Sequence, residues 1–325
     1  MGIFNRIKSA VTASPTEDQD SRTDTTEPAV CPTPQASGSS PSGAEQQATP
    51  PTQRHGSPLR AKNASPTRRA NGSQIARSHE IEILAALHRF GWLRVQDIAR
   101  LLWPNAREPL DMAYRVLKRM AERKLILVRK TSHGRIFVLA LGGTSRLRDE
   151  AGIHAKSGKD LEPGNFQHRS IANMYSIERM LDPDGWDVFT EFEIQAHRAP
   201  VFAVNKKVAD VLEIAEGACA WIECENTRKR TDDVHKLLEF TLDGLSRPLW
   251  VADDIKLVEV RFVYVNPAPA VRLLKRLVSR VEREPHRPWS EIGLAVEFVG
   301  LQLAPSGLCI GRKVTPLHNY IQGRI

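Results

Sequence analysis

The chain has 325 residues, of which 41% are apolar and 26% are charged, so its composition is that of a soluble globular protein. No apolar run approaches the roughly 18–20 residues of a membrane span, and the N-terminus lacks the apolar region of a secretory signal. We therefore expect a cytoplasmic protein without a membrane span. The four cysteines form no CxxC pair, which argues against a zinc site.

The formal net charge of +8 is unevenly distributed. Residues 1–73 hold 8 basic and 6 acidic side chains, and residues 143–325 hold 25 basic and 26 acidic ones. Residues 74–142 hold 13 basic side chains against 6 acidic ones, a surplus of +7. This concentration predicts a polyanionic partner, because phosphate neutralisation by Lys and Arg drives sequence-independent affinity for DNA.

Residues 1–73 are rich in Ser, Thr, Pro, Gly and Gln. Such a segment buries too little apolar surface to offset its ordering entropy, so we predict a disordered arm. Between Gln46 and His79 the chain has no acidic residue and six basic ones: Arg54, Arg60, Lys62, Arg68, Arg69 and Arg77. A basic arm beside a folded domain favours contact with nucleic acid, and a solubilising linker is the alternative.

Residues 74–142 have the pattern of three helices and a hairpin. The apolar spacing predicts a helix from Ser78 to Gly91, a short helix over 94–103 and a third helix from Pro109 to about Arg123. The third helix has one apolar stripe, formed by Leu110, Ala113, Val116, Leu117 and Met120. Two strand-like runs, 125–130 and 135–139, follow and are joined by a turn that contains Gly134.

This order is typical of a winged helix-turn-helix, in which the third helix enters the major groove and the hairpin contacts the DNA backbone. We predict that basic side chains of both elements contact DNA, namely Arg115, Lys118, Arg119, Arg123, Arg129, Lys130 and Arg135. Sequence does not distinguish base contacts from phosphate contacts in this set.

The rest of the chain is predicted as a connector, 143–165, and a second folded domain, 166–325. Gly142 and Gly143 suggest a hinge, and the connector reads as irregular. The predicted order is a helix, three strands, a helix, a strand, a helix and a strand, over about 167–181, 187–194, 208–214, 218–225, 233–245, 257–265, 270–283 and 294–303. We expect an α+β chain whose second domain is a mixed sheet between helices.

Three acidic residues in this domain form a candidate metal site. Asp210 lies on one predicted strand, and Glu223 and Glu225 lie two residues apart on the next, so alternation places both glutamates on one face. Clustered carboxylates repel each other unless a cation neutralises them, and oxygen ligands suit Mg²⁺ or Mn²⁺. A solvated strand edge with a glutamate pair is the alternative.

A hairpin with Asp and then Glu-x-Lys, followed by a helix, is the layout of PD-(D/E)xK nucleases. There the carboxylates hold a metal that activates water, and a lysine assists. Here Glu225 stands at the lysine position and Lys229 follows four residues later, so the predicted catalytic set is Asp210, Glu223, Glu225 and Lys229. His168 and Glu178, on the preceding helix, are weaker candidates.

A covalent tyrosyl mechanism is the other route to DNA nicking. Tyr114 falls in the third predicted helix and Tyr264 in an apolar strand, so both are poor nucleophile candidates. Tyr175 and Tyr320 lack a His cluster that would hold a metal beside them. If nicking occurs, the sequence favours metal-assisted attack by water.

Several segments together resemble the replication-relaxation family, which is related to MobC-type mobilisation relaxases of plasmids and integrative elements. The similar segments are Leu87–Leu93, Asp97–Ala99, the third helix and Phe137–Gly143, and then Gln167–Arg169, Asp210 and Ile222–Lys229. The resemblance covers about residues 78–250. It implies a winged-helix DNA reader fused to a PD-(D/E)xK-like domain that acts on double-stranded DNA at an origin, with relaxosome or coupling proteins as partners.

Three functions remain open from the sequence. The first is a metal-dependent endonuclease or relaxase, which the retained carboxylates favour. The second is a non-catalytic relaxosome accessory protein, replication initiator or regulator with an inactive nuclease-like domain, which the displaced lysine favours. The third is a winged-helix transcription regulator with an unrelated ligand-sensing domain.

Overall fold

The structure, a computed structural model, describes residues 72–182, 185–201, 203–226 and 229–322. The predicted arm, up to residue 71, lies outside the described residues. Within the described part, no helix is long and apolar enough to cross a membrane.

Three helices open the described chain: α1 (Gly72–Phe90), α2 (Val95–Leu102) and α3 (Pro109–Glu122). Helix α1 begins before the predicted cap, and Ser78 Oγ instead donates a hydrogen bond to Glu82 Oε1 at 2.9 Å. It ends at Gly91, whose φ of +72° is a left-handed conformation that glycine adopts without strain. The apolar stripe of α3 packs inward as predicted, with Ala113, Val116, Leu117 and Met120 buried.

A hairpin follows, formed by β1 (Ile126–Thr131) and β2 (Gly134–Leu139), and its loop is Ser132-His133. One face of the hairpin packs on the three helices through Ile126, Phe137 and Leu139. Its other face packs against later residues, which include Leu161 and Phe166. The predicted order of three helices and a hairpin is thus confirmed.

The predicted irregular connector and hinge are wrong at their start, because helix α4 (Leu141–Ala151) begins there. Gly143 lies in the first turn of α4, so close to the hairpin that a Cβ atom on it would be 2.1 Å from the Leu125 carbonyl oxygen. This close approach explains why residue 143 is a glycine, and it shows that the start of α4 packs tightly against Leu125.

The remaining elements form one sheet and its flanking helices. They are α5 (Phe166–Leu181), β3 (Asp187–Thr190), α6 (Glu191–Gln195), β4 (Val211–Ala215), β5 (Ala218–Cys224), α7 (Thr231–Ser246), β6 (Trp250–Ala252), β7 (Ile255–Tyr264), α8 (Pro267–Arg283), α9 (Trp289–Ala295), β8 (Val296–Leu303), β9 (Cys309–Pro316) and α10 (His318–Ile321). The strand order is β3-β4-β5-β7-β8-β9, and β6 pairs with β7. The pairs β5–β7 and β7–β8 are parallel and the others antiparallel, so the sheet is mixed, as predicted.

Helices cover both faces of the sheet. Helix α5 packs through Ile171 and Tyr175 on the face that carries Ala220, Ile222 and Cys224, which alternate along β5 with Trp221 and Glu223. Helices α7, α8 and α9 cover the opposite face through an apolar set that includes Leu238, Leu277 and Ile292, in contact with the sheet residues Leu212, Trp221 and Phe262. Glu223 follows the alternation of Trp221 and belongs to this second face.

Several elements differ from the sequence prediction. The strand predicted over 187–194 ends at Thr190, because Thr190 and Glu193 form a capping box that starts α6. Strands β6 and β9 and helices α9 and α10 were not predicted from the sequence.

Buried polar contacts join the helical part to the sheet part. Arg89 Nε of α1 lies 2.8 Å from Glu193 Oε1 of α6, and both side chains are almost fully buried. Arg100 Nε of α2 lies 2.6 Å from Glu178 Oε1 of α5. Glu178, a weaker candidate for the carboxylate site, therefore has a structural contact in the junction between the two parts.

Candidate functional site

Helix α3 presents a basic outer face. Its apolar positions are buried, so Arg115, Lys118 and Arg119 are left exposed on the opposite side. Arg115 and Arg119 are four residues apart and therefore neighbours on the helix surface. Tyr114, 52% exposed, lies beside them. Among the described residues, no carboxylate lies within ion-pair distance of these three cations.

Besides Arg115, whose Nε donates to the carbonyl oxygen of Asp111 at 3.3 Å within α3, two of the predicted DNA contacts have partners elsewhere in the protein. Arg123 Nη1 donates to both carboxylate oxygens of Glu80 at 2.9 Å, although its side chain remains 56% exposed. Arg129 Nη1 donates to the carbonyl oxygen of Leu161 and is only partly exposed. These two arginines are therefore less available to a ligand than the other predicted contacts.

The hairpin adds two further exposed cations. Lys130 and Arg135 are directly opposite each other on β1 and β2, and both are exposed. Like charges in this position destabilise a strand pair, so the arrangement costs stability in the absence of an anion. The hairpin loop does not project freely, because the His133 ring stacks on Phe166 at a centroid distance of 5.1 Å.

The two glutamates of β5 are bonded to lysines. Lys229 Nζ lies 2.5 Å from Glu225 Oε1 and 3.4 Å from Glu223 Oε2. Lys207 Nζ lies 2.8 Å from Glu223 Oε1, which also accepts a hydrogen bond from Trp221 Nε1 at 2.7 Å. Glu223 and Glu225 are each 4% exposed, so these lysines neutralise carboxylates that are shielded from water.

Asp210, the residue before β4, has different partners from the two glutamates. Its backbone N–H donates to the carbonyl oxygen of Ile222 at 3.0 Å, which places Asp210 beside Glu223. Its Oδ1 lies 2.8 Å from His168 Nε2, and its Oδ2 accepts a hydrogen bond from the Cys224 N–H at 2.6 Å. Both carboxylate oxygens of Asp210 are therefore occupied.

The protonation states follow from burial and from these charges. Burial lowers the pKa of Lys229, but Glu223 and Glu225 outweigh it, and the pKa lies above its usual value. Burial raises the pKa of Glu225, although Lys229 opposes that shift. Burial lowers the pKa of His168, but its hydrogen bond to Asp210 outweighs it and the net pKa is raised. Lys229 is therefore charged at neutral pH.

As arranged, these residues do not fit a divalent metal. In the part of the chain that the structure describes, no group of three His, Cys, Asp or Glu side chains could hold a metal ion. The structure brings Asp210, Glu223, Glu225 and Lys229 to one end of the β4–β5 hairpin, as the sequence predicted. It does not direct the three carboxylates to one point, because the lysine ammonium groups and His168 occupy their oxygens.

Two features near this cluster were missed from the sequence. Lys207 precedes β4 and has no motif around it. Glu191, the first residue of α6, has a pKa raised by burial and by nearby Asp210, and its Oε2 has no hydrogen-bond partner. Because position 191 was predicted to lie in a strand, no sequence pattern related Glu191 to Asp210.

A separate buried ion network occupies the α5 face of the sheet. Glu213, fully buried, accepts hydrogen bonds from Arg179 Nε at 2.7 Å, Arg261 Nη1 at 2.7 Å and the Tyr175 hydroxyl at 2.6 Å. Burial and Glu213 raise the pKa of Tyr175 well above its usual value. Tyr175 is therefore inaccessible to a DNA phosphate and unsuited as a nucleophile.

Comparison of the chain with protein-family models, with curated proteins and with solved structures gives no match.

Proposed function

We propose that this protein binds double-stranded DNA through α3 and the β1–β2 hairpin. The observation that carries this proposal is the exposed set of cations on α3, Arg115, Lys118 and Arg119, which have no carboxylate partner in the described chain. Uncompensated guanidinium and ammonium groups on one helix face suit the phosphates that border a DNA groove.

The order of elements supports the assignment of residues 72–139 to the winged helix-turn-helix class. In that class the third helix enters the major groove and the hairpin contacts the backbone. The opposed Lys130 and Arg135 on the hairpin fit this role, because a bound phosphate would relieve their mutual repulsion. The +7 surplus of residues 74–142 supplies the long-range attraction.

We further propose that the sheet part is a non-catalytic platform of PD-(D/E)xK-like layout. The order α5-β3-β4-β5-α7-β7, with β5 and β7 parallel, supports the layout. The lysines bonded to Glu223 and Glu225 support the absence of catalysis, since Lys229 supplies within the chain the positive charge that a metal would otherwise bring.

The resemblance of the sequence to the replication-relaxation family extends this proposal to a biological setting. On that basis the DNA is an origin of plasmid replication or conjugative transfer, and the protein is an accessory or initiator factor that acts with relaxosome or coupling proteins. Footprinting of the protein on the DNA that flanks its own gene tests this setting, since the proposal requires a discrete protected site there.

The salt dependence of binding tests the DNA interface. Five exposed cations on α3 and the hairpin predict a slope of log affinity against log salt of about −4.5, at about 0.9 for each phosphate contact. The double variant Arg115→Ala/Arg119→Ala should have a slope of about −2.7. From 50 to 200 mM salt, the affinity should then fall roughly 500-fold in the wild type and about 40-fold in the variant.

Fluorescence anisotropy of a labelled 30-base-pair duplex measures these slopes. The matched control is Arg272→Ala/Arg276→Ala, which removes two exposed arginines from α8. The proposal requires the control to keep the wild-type slope. An α3 variant with an unchanged slope, or a control variant that loses as much, would contradict the assignment to α3.

Metal-dependent nicking is the second candidate function, and the nearness of Asp210 to Glu223 favours it. Supercoiled plasmid is incubated with the protein and Mg²⁺ or Mn²⁺, with Asp210→Ala and Glu223→Ala as controls. Our proposal predicts no relaxed plasmid above background. Relaxation by the wild type that both variants lose would instead assign catalysis to this cluster.

A further inference from the structure

A cavity of about 240 Å³ lies where α1, the end of β2, the segment 154–161 and α6 meet. Its apolar lining is provided by Leu87, Leu139, Leu161 and Phe192. Its volume equals that of about eight water molecules, at about 30 Å³ each, and matches a ligand with one small ring or a short chain. It shares no lining residue with the α3 face or with the carboxylate cluster.

The cavity contains a guanidinium group without an ion partner. Arg198, partly buried, donates from Nη1 to His88 Nε2 at 2.7 Å and from Nη2 to the His88 carbonyl oxygen at 3.0 Å. Burial and the charge of Arg198 lower the pKa of His88 to about 4, so the ring that accepts this bond is neutral. Neither acceptor carries a charge that would offset that of Arg198.

Glu193 interacts electrostatically with Arg198, but it accepts hydrogen bonds from another arginine. Glu193 accepts hydrogen bonds from Arg89 Nε at 2.8 Å and from Arg89 Nη2 at 3.2 Å. Among the described residues, Arg198 forms no ion pair. Its guanidinium lies 5.2 Å from the centre of the Phe192 ring, which holds it against the apolar wall.

The other ionisable side chains that line the cavity are of the basic residue types. His154 and Lys156 contribute to the lining, and no acidic side chain among the described residues does so. A charge held in a half-buried, apolar setting is costly unless an opposite charge approaches it, and a carboxylate meets a guanidinium with two parallel hydrogen bonds. The cavity therefore has the chemistry of a site for a small organic anion.

We propose that this cavity binds a small organic carboxylate, with its carboxylate on Arg198 and its apolar body against Leu139, Leu161 and Phe192. The site is independent of the DNA interface and of the carboxylate cluster. It gives the chain a ligand-binding function whether or not the proposed DNA interface is correct.

Isothermal titration calorimetry of the full chain with benzoate and with hexanoate tests the proposal. Benzyl alcohol, which has the ring of benzoate without its charge, is the ligand control. The protein variants are Arg198→Met, and Arg148→Met as a matched control at an exposed arginine of α4. We expect one carboxylate or both to bind the wild type and Arg148→Met equally, and to bind Arg198→Met at least tenfold more weakly.

A second variant tests the site in case Arg198→Met loses binding only because it misfolds. Ala196→Phe places a ring in the cavity from its exposed wall and leaves Arg198 in place. This variant should keep the wild-type thermal midpoint and lose carboxylate binding. The proposal is overturned if neither carboxylate binds the wild type at 50 mM, if benzyl alcohol binds as tightly, or if Ala196→Phe binds like the wild type.

Discussion

Replacement of Lys229 by Met tests whether that lysine is the internal cation of the carboxylate cluster. Met retains the apolar stem of the side chain and removes the ammonium group, which lies 2.5 Å from Glu225 and 3.4 Å from Glu223. Glu223 keeps its contact with Lys207 at 2.8 Å. The variant therefore leaves Glu225 as a buried carboxylate without a cation.

The expected loss of stability follows from the burial of these groups. Removal of one partner of a buried ion pair costs about 3–5 kcal/mol, and the 25% exposure of the Lys229 side chain points to the lower end, about 3 kcal/mol. At about 2–4 °C for each kcal/mol in a domain of this size, the thermal midpoint should fall by about 6–12 °C at pH 7.5.

The pH dependence of the stability loss distinguishes loss of the ion pair from a simple loss of packing. The pKa of Glu225 is already raised by burial, and loss of Lys229 raises it further. A carboxyl group with a raised folded-state pKa destabilises the folded state above that pKa. The deficit of the variant should therefore be largest at neutral pH and smallest near the unfolded pKa of about 4.3.

Differential scanning fluorimetry from pH 4.5 to 8 measures this effect, with Lys236→Met as the matched control at an exposed lysine of α7. The control should shift the midpoint little at any pH. A Lys229→Met midpoint no lower than that of the control would refute the reasoning. So would a wild-type midpoint that Mn²⁺ raises, because a metal would then bind with Lys229 in place.

Two further predictions concern the fold. Glu213→Gln removes the buried carboxylate that Arg179 and Arg261 share. Arg179 keeps its ion pair with Asp182, and Arg261 keeps those with Glu259 and Glu297, so the cost in urea unfolding at pH 7 should lie at the lower end of the range for a buried pair, about 3 kcal/mol, with the exposed Glu291→Gln as control. Burial raises the pKa of Glu213, but the arginines outweigh it and the net pKa is lowered. The stability that the Glu213 carboxylate contributes is therefore present above the unfolded pKa of about 4.3 and is lost at lower pH. A stability deficit of the variant that stays constant down to pH 3 would contradict this reasoning. Gly143→Ala places a Cβ atom 2.1 Å from the Leu125 carbonyl oxygen and should lower the free energy of unfolding by about 1–3 kcal/mol or more. Gly72→Ala, where a Cβ atom would lie in open space, should leave it unchanged. If the two variants lost the same stability, the hinge predicted at Gly142 and Gly143 would be favoured again.

The elements that sequence predicted well are those with a clear apolar period. Helix α3 lies within one or two residues of its predicted bounds, because its apolar stripe recurs at helical spacing. Strand β5 alternates between the two faces of the sheet as a strand period requires, with Trp221 on one face and Ile222 and Cys224 on the other. Helix α4 was missed because Gly142 and Gly143 lower helix propensity, and only the close approach of Leu125 requires glycine there.

Sequence by itself determined which side chains lie on which face: the exposed cations of α3, and the acidic residues at one end of the β4–β5 hairpin. Local periodicity fixes these orientations, since they depend only on the helix and strand repeats. Only the tertiary structure decided which charges are already neutralised. Arg123 forms an ion pair with Glu80, and Lys229 forms one with Glu225. Arg198 instead donates a hydrogen bond to the neutral ring of His88. These contacts depend on how elements that are distant in sequence pack together.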